Sequence, residues 1–272
     1  MALASGLTPR LAEHQKVRSV ALVRPDDPGY VASAGAFAAE ARSFAPKLTP
    51  SVGSHAGQVV EDAARAWVAA TVGARAERVV AAEVLPWGER SYRSHYLEVD
   101  VVAGHDRPRA LIEVKFTSRS KAVSRGVAQI ARARDLAGRA HPGLAAIVLV
   151  IQADRGGEWM PNVPGGVVST LHEAHGALDL DVRDGVQVVC LPVEVLYPHM
   201  DATDVALVER ARDEADILVA ERVERDRLRE AGVTELPAPR PQPRASREDV
   251  VAYRDDDPVP SPFSALLALA SA

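Results

Sequence analysis

Eight successive apolar residues, Leu144 to Ile151, run without a polar interruption, and they restrict what this chain can fold into. A strand with one wet face alternates apolar and polar side chains, so an unbroken run demands cover on both faces. That is the setting of a central strand in a sheet sandwiched between helices. Pro142-Gly143 immediately before the run ends a helical segment predicted over Ser120–Ala140. With 47% hydrophobic residues but only 4% aromatics, the core around such a strand has to be aliphatic.

Upstream, Ser54 is placed to cap a helix from His55 to Val72, in which Val59, Ala63, Ala66, Trp67 and Ala70 recur at helical spacing; Gly73 stops it. Three strand-like runs follow, Arg78–Leu85, His95–Ala103 and Ala110–Phe116, separated by turn-rich residues at 86–90 and 104–108. The order is αβββαβ. A Gly/Pro-rich loop at 156–166, a helix over about 168–178 and a strand over 186–191 would complete a mixed sheet of four or five strands in a three-layer α/β fold.

These elements define a domain over 51–200. Residues 1–50 form an N-terminal extension with a strand-like run at 17–23, a turn at 25–29 and an Ala-rich helical stretch at 32–45. Residues 201–232 read as a charged helix with ten acids and six arginines, packed on the core or offered to a protein partner or a second copy of the chain. Residues 233–272 are expected to be a disordered tail, since seven prolines fall within 233–262.

A net charge of −5 and a pI near 5.9 exclude a globally basic nucleic-acid-binding surface. The exception is local: residues 105–141 hold nine Arg or Lys against three acids. The first eleven residues lack the charged, apolar and cleavage regions of a secretory signal, and no apolar stretch approaches the roughly 20 residues that span a bilayer. Cys190, the one cysteine, sits in an apolar strand as a buried reduced thiol. A cytoplasmic location is expected.

The chemistry concentrates on two of the predicted strands. Side chains alternate along a strand, so Glu98 and Asp100 share one face of theirs, and Glu113 and Lys115 share one face of the next. If the strands pair, the four groups converge. Neighbouring carboxylates repel unless a cation lies between them, and hard oxygen ligands suit Mg²⁺ or Mn²⁺. Such an ion would activate water for attack on a phosphodiester, with Lys115 facing the developing charge.

Asp100, twelve intervening residues and then Glu113-Val114-Lys115 resemble the D…(D/E)XK signature of the PD-(D/E)XK nuclease superfamily. The segments 97–103 and 111–115 are similar to the strands of Holliday-junction-resolvase-like members. Gly57-x-x-x-Glu61 resembles the first acidic motif of RecB-like nucleases, and Gln129 resembles the glutamine of their following helix. Val99 stands where the namesake proline would be, and Ala133 where a RecB-like tyrosine would be. The resemblance spans about residues 54–151. It implies a restriction-endonuclease-like fold and Mg²⁺-dependent hydrolysis, of DNA in preference to RNA. It implies Asp100, Glu113, Lys115 and Gln129 as catalytic residues, and Glu61 beside Asp100 and Glu113 as a metal ligand, with Gly57 allowing close approach of the helix to the strand.

An E-x-K is not common by chance here: with 18 Glu and 4 Lys in 272 residues, roughly a quarter of one occurrence is expected. On the following helix Arg125, Gln129 and Arg132 share a face that, with Arg119 and Lys121, could track a phosphate backbone. Other readings stay open. Glu113 and Lys115 could form an ordinary cross-strand ion pair, Glu61 and Gln129 could be surface helix residues, and the fold could serve binding without cutting. His172-Glu173-Ala174-His175 lacks the spacing of a zinc-protease helix and reads as surface.

Overall fold

The computed structural model describes residues 16–44, 52–86, 88–155, 166–169 and 185–232. The chain is α/β, with two sheets. Lys16–Val23 (β1) pairs antiparallel with Val79–Leu85 (β2), which pairs antiparallel with Arg93–Glu98 (β3). The second sheet has the order β4-β5-β6-β8-β7, built from Val101–Ala103 (β4), Ala110–Thr117 (β5), Ala145–Gln152 (β6), Gly166–Ser169 (β7) and Val186–Leu191 (β8). It is mixed: β4 runs antiparallel to β5, while β5, β6, β8 and β7 are mutually parallel.

Seven residues of the apolar octet, with Gln152, form β6, flanked by β5 on one side and β8 on the other, and all eight of the octet are buried. Its alternate side chains feed two cores. Ile147, Leu149 and Ile151 join Val52–Val72 (α2), and Ala146, Val148 and Val150 join Ser120–Ala137 (α3) and β2. Helices therefore lie on both faces, α2 on one and α3 on the other. The small antiparallel sheet packs on the α3 side, and Val17, Val20 and Leu22 of β1 join that core. Pro28–Phe44 (α1) touches β3 through an edge-on contact of Tyr30 with Tyr96.

Ala202–Glu230 (α4) starts at an Asp201 cap whose carboxylate accepts from the backbone N–H groups of Thr203 at 2.7 Å and Asp204 at 2.8 Å. Val208 and Ala211 bury its first turns against the α2 core, whereas Val223 further along is 64% exposed. Arg155, just beyond β6, ties the strand end to this helix through Glu209, Asp213 and Asp216.

Several sequence expectations are corrected. The run 95–103 is not one strand: it breaks at Val99–Asp100 and divides between the two sheets. Ser54 is not a cap, because α2 begins at Val52. Val168 and Ser169 lie in β7, not in a helix, since β8 supplies ladder partners for both; the rest of 168–178 is outside the described residues, as are His172, His175 and the tail from 233. No described helix is long and apolar enough to cross a membrane.

Because β6 is the shared wall of both cores, Leu149→Ala should lower stability by about 2–5 kcal/mol in urea denaturation. Val223→Ala, on the exposed part of α4, should stay within about 0.5 kcal/mol of the parent.

Candidate active site

β4 is only three residues long and covers β5 only as far as Ile112, opposite Val101. From Glu113 onward, β5 has a strand neighbour among the described residues on the β6 side alone. This leaves a notch at the sheet edge. Here the chain crosses from β3 to β4, with Val99 N–H donating to Arg78 O at 3.0 Å. Asp100 fills the missing ladder position, its Oδ2 accepting from Val114 N–H at 2.6 Å. An aspartate at the end of one strand thus replaces a backbone acceptor for the next.

Glu113 and Lys115 lie on the α3 face of β5 with Leu111, while Ile112 and Val114 face α2. Glu113 is 1% exposed, and its Oε1 accepts from Lys115 Nζ. Its Oε2 is buried with no hydrogen-bond partner among the described residues. Glu61 approaches from α2, so the two faces of the sheet meet around the short edge strand.

The electrostatics bind these groups into one cluster. Burial pushes Glu61 up to about 9, reinforced by the negative charges of Asp100 and Glu113 and opposed by Lys115. Burial likewise pushes Glu113 up to about 8, with Asp100 raising it further and Lys115 pulling back. Asp100 is raised by burial against the opposing pull of Lys115 and the Val114 N–H. For Lys115 burial acts downward, yet Glu113, Asp100 and Glu61 together hold its ammonium above the ordinary lysine range. Asp100 and Glu113 are joined through Val114 and Lys115, and Glu61 acts electrostatically on all of them.

Glu98 does not join them in the manner expected. β3 pairs with β2, not β5, and Glu98 turns to Tyr30, whose hydroxyl donates to Oε2 at 2.7 Å, and to Arg78 at 3.8 Å. Gly57 is also corrected: a side chain there would meet nothing within 4 Å, so no close approach of α2 depends on it. Gln129 and Arg125 are exposed on α3, as are Lys121 and, before the helix, Arg119; Arg132 is half-buried. They form a basic outer surface, and the strongest charges on the carboxylates come from elsewhere.

One residue escaped the sequence reading. Arg65 donates from Nε to Asp100 O at 3.1 Å and from Nη1 to Asp62 Oδ1 at 2.6 Å, pinning the backbone at the break between sheets. Its signal was present, since it lies one helical turn beyond Glu61.

The donors suit a hard divalent cation in kind: three carboxylates, all disfavoured as anions by burial, and one orphaned oxygen on Glu113. As placed, no described group of three or more His, Cys, Asp or Glu side chains could hold a metal ion. Two oxygens are already engaged, Asp100 Oδ2 by Val114 and Glu113 Oε1 by Lys115. The ammonium supplies the positive charge the carboxylates need. Comparison with known proteins gives no match to a family model, a curated protein or a solved structure.

The raised carboxylates have a consequence for stability. Glu61 keeps in the folded state a proton that it loses near 4.5 when unfolded, so its contribution is full below about 4.5 and is lost as pH rises to about 9. Without divalent cations, melting temperature should therefore fall across that interval. Glu61→Gln should flatten the fall and raise the melting temperature at pH 8, measured by thermal denaturation in EDTA.

Proposed function

We propose that this protein is a metal-dependent nuclease with a restriction-endonuclease-like core, hydrolysing phosphodiester bonds in DNA rather than RNA. The observation that carries the reading is the convergence of Glu61, Asp100, Glu113 and Lys115 at the notch where β4 leaves β5. Strongly perturbed titratable groups cluster at functional sites. The succession α2, β2, β3 with β4, β5, α3, β6 supports the fold assignment, and the D…E-x-K spacing supports the chemistry.

In this reading Asp100, Glu113 and Glu61 hold Mg²⁺ or Mn²⁺. When bound, the ion polarises the scissile phosphate and lowers the pKa of an attacking water. The residues of the chain do the rest. Asp100 stays anchored by the Val114 N–H, so its free oxygen keeps one orientation. Lys115, one quarter exposed at its side chain, presents an ammonium to the phosphate charge that grows during attack. A cation on these residues would compete with the Lys115–Glu113 pair and would displace the proton that burial favours on Glu61. Arg119, Lys121, Arg125 and Arg132 give the duplex a phosphate-binding surface beside the centre, and Gln129 lies among them.

A second reading is favoured by one observation, the direct ion pair of Lys115 with Glu113. A cluster neutralised internally suits a module that binds nucleic acid without cutting it. The two readings part on cleavage. Incubated with linear, circular, single-stranded and branched DNA, the parent should cut with Mg²⁺ or Mn²⁺ and not with EDTA. Asp100→Asn, Glu113→Gln and Lys115→Ala should each reduce cutting at least about 100-fold while still melting cooperatively. Binding without cutting in every metal would select the second reading, and full activity in two of the variants would reject this site.

Because ligation releases protons, the metal concentration giving half-maximal cleavage should fall as pH rises from 6.5 toward 9. DNA affinity should weaken steeply with salt, and Arg125→Ala should lessen that slope by about one unit irrespective of sequence.

A further inference from the structure

Gly126 lies inside α3, six residues beyond its start at Ser120, in an element otherwise free of glycine, and it is buried. Glycine in a helix interior raises the entropy lost on folding and exposes backbone, so without another demand on the position alanine would serve better. Its backbone is helical, and no positive φ requires glycine there.

The demand comes from β5. A Cβ built at Gly126 would stand 3.3 Å from Lys115 Cε, 3.4 Å from Lys115 Cγ and 3.3 Å from Val148 Cγ1. The aliphatic stem of Lys115 therefore lies so close to α3 that a side chain there would require a neighbour to give by a few tenths of an ångström. Val148 is the β6 neighbour of Glu113 and is fully buried, so a shift there would disturb the close-packed core. Lys115 ends at the partly open notch and does have room. Helix packing against a strand usually fills such a gap with an aliphatic group. Here the gap holds a lysine stem leading to an ammonium that meets Glu113.

We propose that Gly126 is a positioning residue of the centre: its missing side chain forms a groove in α3 that guides the Lys115 stem and sets where the ammonium stands against Glu113. Gly126 touches neither substrate nor metal and acts only through Lys115. The reading of Lys115 as catalytic rests on the nuclease proposal; the groove does not.

The test separates the two. The first readout is a double-mutant cycle in stability between Gly126→Ala and Lys115→Ala, measured by urea denaturation. With the lysine stem present, the gain in helix propensity is offset by crowding; with it removed, the gain is released. Gly126→Ala should therefore stabilise the Lys115→Ala protein more than it stabilises the parent. Equal effects in both backgrounds overturn the proposal. A parent that fails to fold with Gly126→Ala, but folds when Lys115→Ala is added, supports it. Failure in both assigns the glycine to Val148 packing and overturns it.

The second readout follows the lysine ammonium. The chain has four lysines, at 16, 47, 115 and 121, so carbon-13 labelling gives four resolvable side-chain signals, with that of Lys115 identified by its loss in Lys115→Ala. Gly126→Ala should move this signal. Gly35→Ala should not, since Gly35 lies in α1 with nothing within 4 Å of an added Cβ. An unmoved Lys115 signal overturns the proposal whether or not DNA is cut.

Where the parent cleaves DNA, Gly126→Ala should lower kcat about tenfold or more with KM within about twofold, as a displaced charge stabiliser requires. A moved signal and non-additive stability in a protein that cuts no DNA would leave the groove standing while the nuclease reading fell.

Discussion

A single hydrogen bond, from Val114 N–H to Asp100 Oδ2, marks the place on which the rest of the arrangement depends. An edge strand must satisfy its backbone or leave it to water. Here β4 stops covering β5 after Ile112, and the next donor on that side is met by a side chain rather than by another strand. This lets the chain pass from the small antiparallel sheet into the mixed sheet without an orphaned amide. It also fixes a carboxylate beside Glu113, which a continued ladder would have kept apart.

Placing three carboxylates there opposes folding. Each is held above its ordinary pKa chiefly by burial, and in Glu61 and Glu113 the neighbouring acids add to the effect. The compensation lies in Lys115 and in the firmness of the surroundings. Leu111, Ile112, Val114 and Val148 are essentially inaccessible, and Arg65 holds the Asp100 carbonyl from α2. A centre under mutual repulsion needs such a rigid frame, since otherwise its side chains would separate into solvent.

The outlying elements serve this frame. Arg155 clamps the end of β6 to three acids of α4, and Arg212 bridges Glu194 and Glu209 behind them, so the helix after the mixed sheet is fastened to the strand that carries both cores. On the other side, β1 brings Val17, Val20 and Leu22 to the α3 core, making part of the N-terminal region integral to the packing. Tyr30 closes over Glu98, which keeps that carboxylate in a separate hydrogen-bonded setting near the cluster.

By itself the sequence determined the alternation of helix and strand, the central place of 144–151, and the identity of the acidic and basic groups that meet. These are local properties: hydrophobic period, unbroken apolar length, and residue spacing along a strand. Asp100, Glu113 and Lys115 were legible because period 2 orders side chains within a strand. The division of 95–103 between two sheets was not, because both halves have the same pattern and only long-range pairing with β2 and β5 separates them. The fate of Glu98, the anchoring by Arg65 and the groove at Gly126 were decided in tertiary structure, where residues 35 positions apart for Arg65 and Asp100 become neighbours. Spacing along one element carries no record of which other element will lie across it, and at this site that crossing decides which carboxylates stand beside the Glu113–Lys115 pair.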